Sequence, residues 1–279
     1  MRIQIFPIVI FCIFMLDSCS PINKKNRIKK TFELGTQKLG DAYYEDAIVL
    51  FSKAIEMDHE LVDAYLNRGV AYYETGHYAL ALADYNHVRQ ALPDFNDVLF
   101  NRAYTYLAMQ RYEMAMEDLQ TLKKLYPDTA LVYNVEGYLY GQQKNYGEAK
   151  KSFKLAIEKE ADHFDSWTNL GVMNYHLKSY QEAENCFDQA LQIRSNSPEV
   201  LNPLSLVYLE KGLLGKADST IDVAIALVPD QAYFLNNKGL IQIRLGNYRL
   251  ADSLINRSLQ LDAKNVSAIE NLALLKTLQ

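Results

Sequence analysis

Apolar and small residues along this chain recur in columns that repeat every 34 positions. Ala47, Ala81, Ala115, Ala149, Ala183, Ala217 and Ala251 form the clearest column. Three residues before them stand Tyr44, Tyr78, Tyr112, Tyr146, Tyr180, Leu214 and Tyr248. Twelve before them stand the small residues Gly35, Gly69, Ala103, Gly137, Gly171, Ser205 and Gly239. Four residues after each Ala comes a bulky apolar side chain: Phe51, Tyr85, Leu119, Phe153, Phe187, Ile221 or Ile255. A spacing of four puts that column one helical turn on, on the same face as the Ala. Two helices approach closely only where both carry small side chains. The two small columns therefore predict a helical hairpin in each unit, and the bulky column should fill the space between one hairpin and the next. Pro93, Pro127 and Pro229 fall near the ends of second helices, where a missing N–H and a ring clash stop a helix. The repeats then run 28–61, 62–95, 96–129, 130–163, 164–197, 198–231 and 232–265, without insertion. Residues 266–279 read as one more helix, whose Leu272, Leu274 and Leu275 are expected to cap the last repeat.

This pattern resembles the tetratricopeptide repeat, a 34-residue helix–turn–helix. The resemblance spans residues 28–265. It implies an all-α fold: a right-handed superhelical solenoid of seven tetratricopeptide helix–turn–helix repeats with a C-terminal capping helix. In that family the second, fifth, sixth, ninth, twelfth and thirteenth residues of each repeat face a concave groove lined by the first helices. The sixth column here reads Glu33, Asn67, Asn101, Val135, Asn169, Pro203, Asn237. Asn67, Asn101, Asn169 and Asn237 resemble the asparagine ladder that holds a peptide backbone in some of these superhelices. An amide both donates and accepts, so it matches a peptide unit of any sequence; a plain abundance of Asn at this place is the competing reading. Tyr73, Phe100, Tyr104, Tyr138 and Tyr175 would add an aromatic wall, with core packing as the alternative, notably for Tyr104. Asp63, Asp97, Asp165 and Glu199 would form an acidic edge. The expected partner is thus a protein or peptide with apolar or basic segments. Acidic C-terminal tails are poor candidates, because a carboxylate clamp needs Lys and Arg where this chain has Phe32, Leu66, Asp97 and Asn101.

Charge changes the picture at four core positions. Arg68 and Arg102 stand where later repeats have Leu170 and Leu204, and each is followed sixteen residues on by an Asp, Asp84 or Asp118. The recurrence predicts a hydrogen-bonded pair tying the first helix to the second. Glu136, in the same column, could extend a ladder from Arg102, whereas Lys238 has no obvious partner.

Composition mainly excludes. Gly (12) and Pro (7) are too sparse for the turns of an all-β protein. Net charge is −5 and no stretch is basic enough for a nucleic-acid footprint. The five histidines show no metal-site spacing; His59, His77 and His163 read as solvated turn residues. Cys186 reads as a partly buried, inert thiol. No catalytic residue, metal, cofactor or small-molecule substrate is expected, and the chain does not read as an enzyme.

The N-terminus carries its own pattern. Met1-Arg2 precedes an apolar run from Ile3 to Leu16, shorter than the roughly 20 residues a membrane span needs. Leu16-Asp17-Ser18-Cys19 follows and resembles the bacterial lipobox, with Asp17 departing from the usual uncharged residue. The resemblance implies a signal peptide over 1–18, cleavage before Cys19, a lipid on Cys19 and a membrane-tethered linker over 19–27. An ordinary signal peptide and an uncleaved anchor remain the alternatives. With Ser20 following Cys19, the expected location is the cell envelope, lipid-anchored at an outer membrane and facing the periplasm. Two roles follow: an adaptor for envelope enzymes such as cell-wall hydrolases, or a pilotin-like assembly factor for a secretion or pilus complex.

Overall fold

The structure is a computed structural model and describes residues 21–278. Every regular element among them is an α-helix. The chain divides into two compact units between Leu125 and Tyr126. The first contains α1 (Pro21–Gly40), α2 (Tyr44–Met57), α3 (Val62–Glu74), α4 (Tyr78–Ala91), α5 (Val98–Ala108) and α6 (Tyr112–Leu125). The second contains α7 (Ala130–Gln142), α8 (Tyr146–Lys159), α9 (Phe164–His176), α10 (Tyr180–Ile193), α11 (Pro198–Glu210), α12 (Leu214–Leu227), α13 (Ala232–Arg244), α14 (Tyr248–Leu261) and α15 (Val266–Leu278). The Tyr/Leu column opens every second helix, so the register read from the sequence is the register of the hairpins.

Each hairpin closes where the columns predict. All seven column alanines are 0% exposed. A second buried column, seven residues on, was missed: Ala54, Val88, Leu122, Ala156, Ala190, Ala224 and Ser258. The bulky column differs from expectation, because its side chains lie inside their own hairpin. A Cβ built on Gly171 would sit 2.5 Å from Phe187, and one on Gly69 would sit 2.6 Å from Tyr85. Rings occur only opposite glycine: Ala103 faces Leu119's position and Ser205 faces Ile221's, where the extra Cβ is met by a narrower aliphatic chain. The turn between paired helices places one residue in the left-handed region in every repeat. Gly76, Gly212 and Gly246 take it freely, while Ala42, Gln110, Lys144 and Lys178 hold φ of 58–59°.

Within each unit, successive first helices touch one another, while no two second helices do so among the described residues. The first helices therefore line the inside of each unit's curve. The predicted Arg–Asp links are present and bidentate. Arg68 Nε and Nη2 both reach Asp84 at 2.8 Å, and Arg102 reaches Asp118 at 3.0 and 2.7 Å. Each guanidinium also donates back to the preceding repeat, to Ser52 and Asn86 respectively. Lys238 does have partners, Asp218 at 2.6 Å and Asp222 at 2.7 Å, on the preceding second helix. Glu136 accepts from Ser152 at 2.9 Å, again sixteen residues on.

At the two ends the structure adds detail. Residues 21–27, within the segment expected to serve as a tether, form the first turns of α1; Pro21 suits a first helical position, where its missing N–H is not needed. In α15, Leu275 is buried and Leu272 packs on the last repeat as expected, but Leu274 points away. Cys19 and the leader expected over 1–18 lie outside the described residues.

Candidate protein-binding surface

In the first unit the inner wall is built by α3 and α5. Asn67 and Asn101 are half-buried there. The preceding repeat offers only Phe32 and Leu66 at the fifth position, which have no acceptor for an amide. Tyr73 is only partly available: its ring packs against Tyr78 at 5.6 Å and against the cluster around Tyr85 and Val98. Phe100 and Tyr104 are half-buried on α5.

In the second unit the asparagines have a structural duty that the sequence reading missed. Asn169 Nδ2 donates to Asn134 Oδ1 (3.4 Å), Asn237 Nδ2 to Asn202 Oδ1 (2.8 Å), and Asn271 Nδ2 to Asn236 Oδ1 (2.9 Å). A sixth-position amide of one repeat thus binds a fifth-position amide of the repeat before. This stitches α9 to α7, α13 to α11 and α15 to α13. Each donor amide keeps its carbonyl and one N–H for a ligand. The signal was the 35-residue spacing between the two Asn columns. Val135, in the sixth column, is fully buried and is not part of any wall. Tyr138 on α7 is 40% exposed and is the most open of the predicted aromatics. Tyr175 on α9 instead packs on Tyr180 at 6.0 Å and on the core around Phe187. Asp63, Asp97, Asp165 and Glu199 are all exposed, as an acidic edge requires.

The titratable groups elsewhere serve the fold. His163 is not merely solvated: its Nδ1 accepts from Ser166 N and caps α9. His87 stacks on Tyr65 and His176 on Tyr146, and burial pushes the His176 imidazole down. Burial raises the Cys186 thiol to about 11, which keeps it protonated. Among the described residues there is no group of three metal-ligating side chains, and no helix is long and apolar enough to cross a membrane.

Comparison with known sequences decides the family. Models described as TPR repeat or tetratricopeptide repeat match residues 38–76, 63–94, 97–129, 130–163, 164–197 and 232–265. The chain belongs to the tetratricopeptide repeat family. Repeat 198–231, which departs from the columns at Ser205 and Leu214, is outside those matches. A search of curated protein sequences found no match. Tetratricopeptide folds among solved structures are similar throughout. The Cut9–Hcn1 hetero-tetramer of the APC/C matches with a TM-score of 0.72 at 16% identity, over 89% of this chain and 53% of that one. A tetratricopeptide repeat protein from Parabacteroides merdae matches with a TM-score of 0.69 at 17% identity, over 90% of this chain and 99% of its own. PilW, a type IV pilus biogenesis factor, matches with a TM-score of 0.65 at 19% identity, over 76% and 98%. Tetratricopeptide repeats form protein-interaction scaffolds, and the first-helix walls are where this chain offers convergent polar and aromatic groups.

Proposed function

We propose that the protein is a lipid-anchored interaction scaffold of the bacterial cell envelope. It holds an extended segment of a protein partner against its first helices. The observation that carries this reading is the first-helix wall itself, where amides with spare hydrogen-bonding capacity stand beside half-buried rings and Tyr138. Amides directed at a backbone give general grip, and rings accept apolar side chains. The exposed acids at the second position favour basic residues in the same segment. Catalysis has no place in this account, since the described polar clusters are engaged in tying helices together.

The anchor belongs to the proposal and rests on the Leu16-Asp17-Ser18-Cys19 pattern. Metabolic labelling with a fatty-acid analogue tests it: the wild type should label, and a Cys19→Ser protein that still labels would remove the anchor. A second reading, an assembly factor for a pilus or secretion complex, takes its support from the likeness in fold to PilW. Deletion separates the two. Loss of cell-wall enzyme complexes supports the adaptor, and loss of an assembled outer-membrane pore or pilus supports the assembly factor.

A further inference from the structure

Repeat 164–197 departs from its neighbours at its eleventh residue. Tyr72, Tyr106, Tyr140 and Tyr208 hold that place in the repeats around it, whereas this repeat has Asn174. The eleventh side chain faces the second helix of the preceding repeat. Tyr208 hydrogen-bonds Glu184, and its counterpart Gln242 donates to Asp218, the equivalent acid one repeat later. The residue facing Asn174 in the same way is Lys150. Asn174 stops short of it, and a cleft of about 360 Å³ opens among α8, α9 and α10, with both residues in its lining. That volume lies in the range of about 300–1,000 Å³ that holds small organic groups.

The walls suit a ring. Ile157, Trp167 and Leu170 line the cleft together with Cys186. Leu170 and Cys186 occupy the positions that an Arg–Asp pair fills in repeats 62–95 and 96–129, so apolar surface stands here in place of charge. Asn174 is 2% exposed. Its Nδ2 donates to Cys186 Sγ at 3.5 Å, but its buried Oδ1 has no hydrogen-bond partner. A buried acceptor left without a donor is costly and calls for an explanation.

We propose that this cleft docks a tyrosine side chain of a protein partner, with the phenol ring between Trp167 and Leu170 and its hydroxyl donating to Asn174 Oδ1. Tyrosine is the group that the fold itself places in the equivalent slot of four other repeats. Phenylalanine would leave Oδ1 unsatisfied, and with Lys150 and Lys154 balanced by Glu158 and Glu182 in the lining, a neutral side chain suits the cleft. The proposal rests on the reading of the chain as a protein-binding scaffold. It concerns the second-helix side of the second unit, apart from the first-helix wall.

Trp167 is the only tryptophan in the chain and lines the cleft, so its fluorescence reports on occupancy. The protein is titrated with p-cresol, N-acetyltyrosinamide and toluene, exciting at the red edge where phenols do not absorb. Both phenols should give saturable changes, with toluene about tenfold weaker, the effect of one hydrogen bond. Asn174→Tyr fills the slot and should abolish the response while the circular dichroism spectrum is kept. Asn174→Ala keeps the cleft open and should erase the preference for cresol over toluene; if Asn174→Tyr fails to fold, this variant decides. Absence of saturable binding, equal binding of toluene, or undiminished binding to folded Asn174→Tyr overturns the proposal. Binding of p-cresol without N-acetyltyrosinamide also overturns it, because the site would then take a free phenol. None of these outcomes bears on partner capture at the first-helix wall, so the two readings fail separately.

Discussion

Adding one methyl group at either of two glycines should shift stability in opposite directions. A Cβ on Gly171 would stand 2.5 Å from Phe187 Cε1 and 2.8 Å from Cδ1 and Cζ. Carbon atoms pack best at about 3.5–4.0 Å, so the ring must retreat by roughly 1 Å. It has nowhere to go, because Phe187 is fully buried among Ala183, Ala190 and Phe164. Overpacking of this kind costs about 1–3 kcal/mol. Against it stands the helix-propensity gain of Ala over Gly, about 0.5–1 kcal/mol. Gly171→Ala should therefore lose about 1–2 kcal/mol. Gly147→Ala in the first turn of α8 meets nothing within 4 Å and should keep a gain of up to about 0.5 kcal/mol. Guanidinium unfolding followed by circular dichroism measures both. The double variant Gly171→Ala with Phe187→Leu imitates the Ala103 and Leu119 combination, and it should be better than the sum of its parts by about 1 kcal/mol. Equal and favourable shifts for the two glycine variants, or simple additivity in the double variant, would refute the close-packed hairpin as the cause of the Gly column.

Three further outcomes follow from the buried chemistry. Arg102→Leu strands Asp118, which is 5% exposed, and should cost about 3 kcal/mol in guanidinium unfolding, whereas adding Asp118→Ala should recover most of it. Burial already holds the Asp118 carboxyl above its usual range against the pull of Arg102, so the pair tolerates apolar replacement, as Leu170 and Cys186 do naturally. Lys178→Gly relieves a side chain held at φ 58° and should raise the melting temperature, by about 0.5–1 kcal/mol of added stability. The Cys186 thiol is neutral in the fold up to about pH 11, against 9.0 for an ordinary thiol. Its contribution is complete below pH 9 and is lost as pH rises from 9 toward 11; the fall in melting temperature over that window should be shallower in Cys186→Ala.

The hairpins were legible because their contacts lie within one repeat, where the same steric demand is written seven times. Arg68 and Asp84 sit sixteen residues apart and announce each other by recurrence; Gly35 and Phe51 share that spacing, yet the bulky column was expected between hairpins rather than against its own glycine. Contacts between repeats were harder to read. Asn169 meets Asn134 only because neighbouring first helices touch, and Lys238 finds Asp222 by reaching backward to the preceding second helix. Neither pairing shows in a single column. The packing of Tyr73 on Tyr78 and of Tyr175 on Tyr180 was also hidden, since a ring at the end of a first helix can turn toward the groove or toward the hairpin turn. Asn174 was visible as a break in a tyrosine column, but the cleft beside it depends on Leu170 and Cys186 as well.

Site-specific photocrosslinking tests the scaffold reading most directly. A photoreactive phenylalanine is placed at Asn101 or Tyr138 on first helices, and in parallel at Met114 or Leu250, which are exposed on second helices. The full-length chain is expressed in intact envelopes and irradiated, and the crosslinked peptides are sequenced. The account predicts that Asn101 and Tyr138 capture the same partner through a segment rich in apolar and basic residues, while Met114 and Leu250 do not. Capture of that partner from Met114 or Leu250, with none from Asn101 or Tyr138, would place binding on the opposite side and contradict the account.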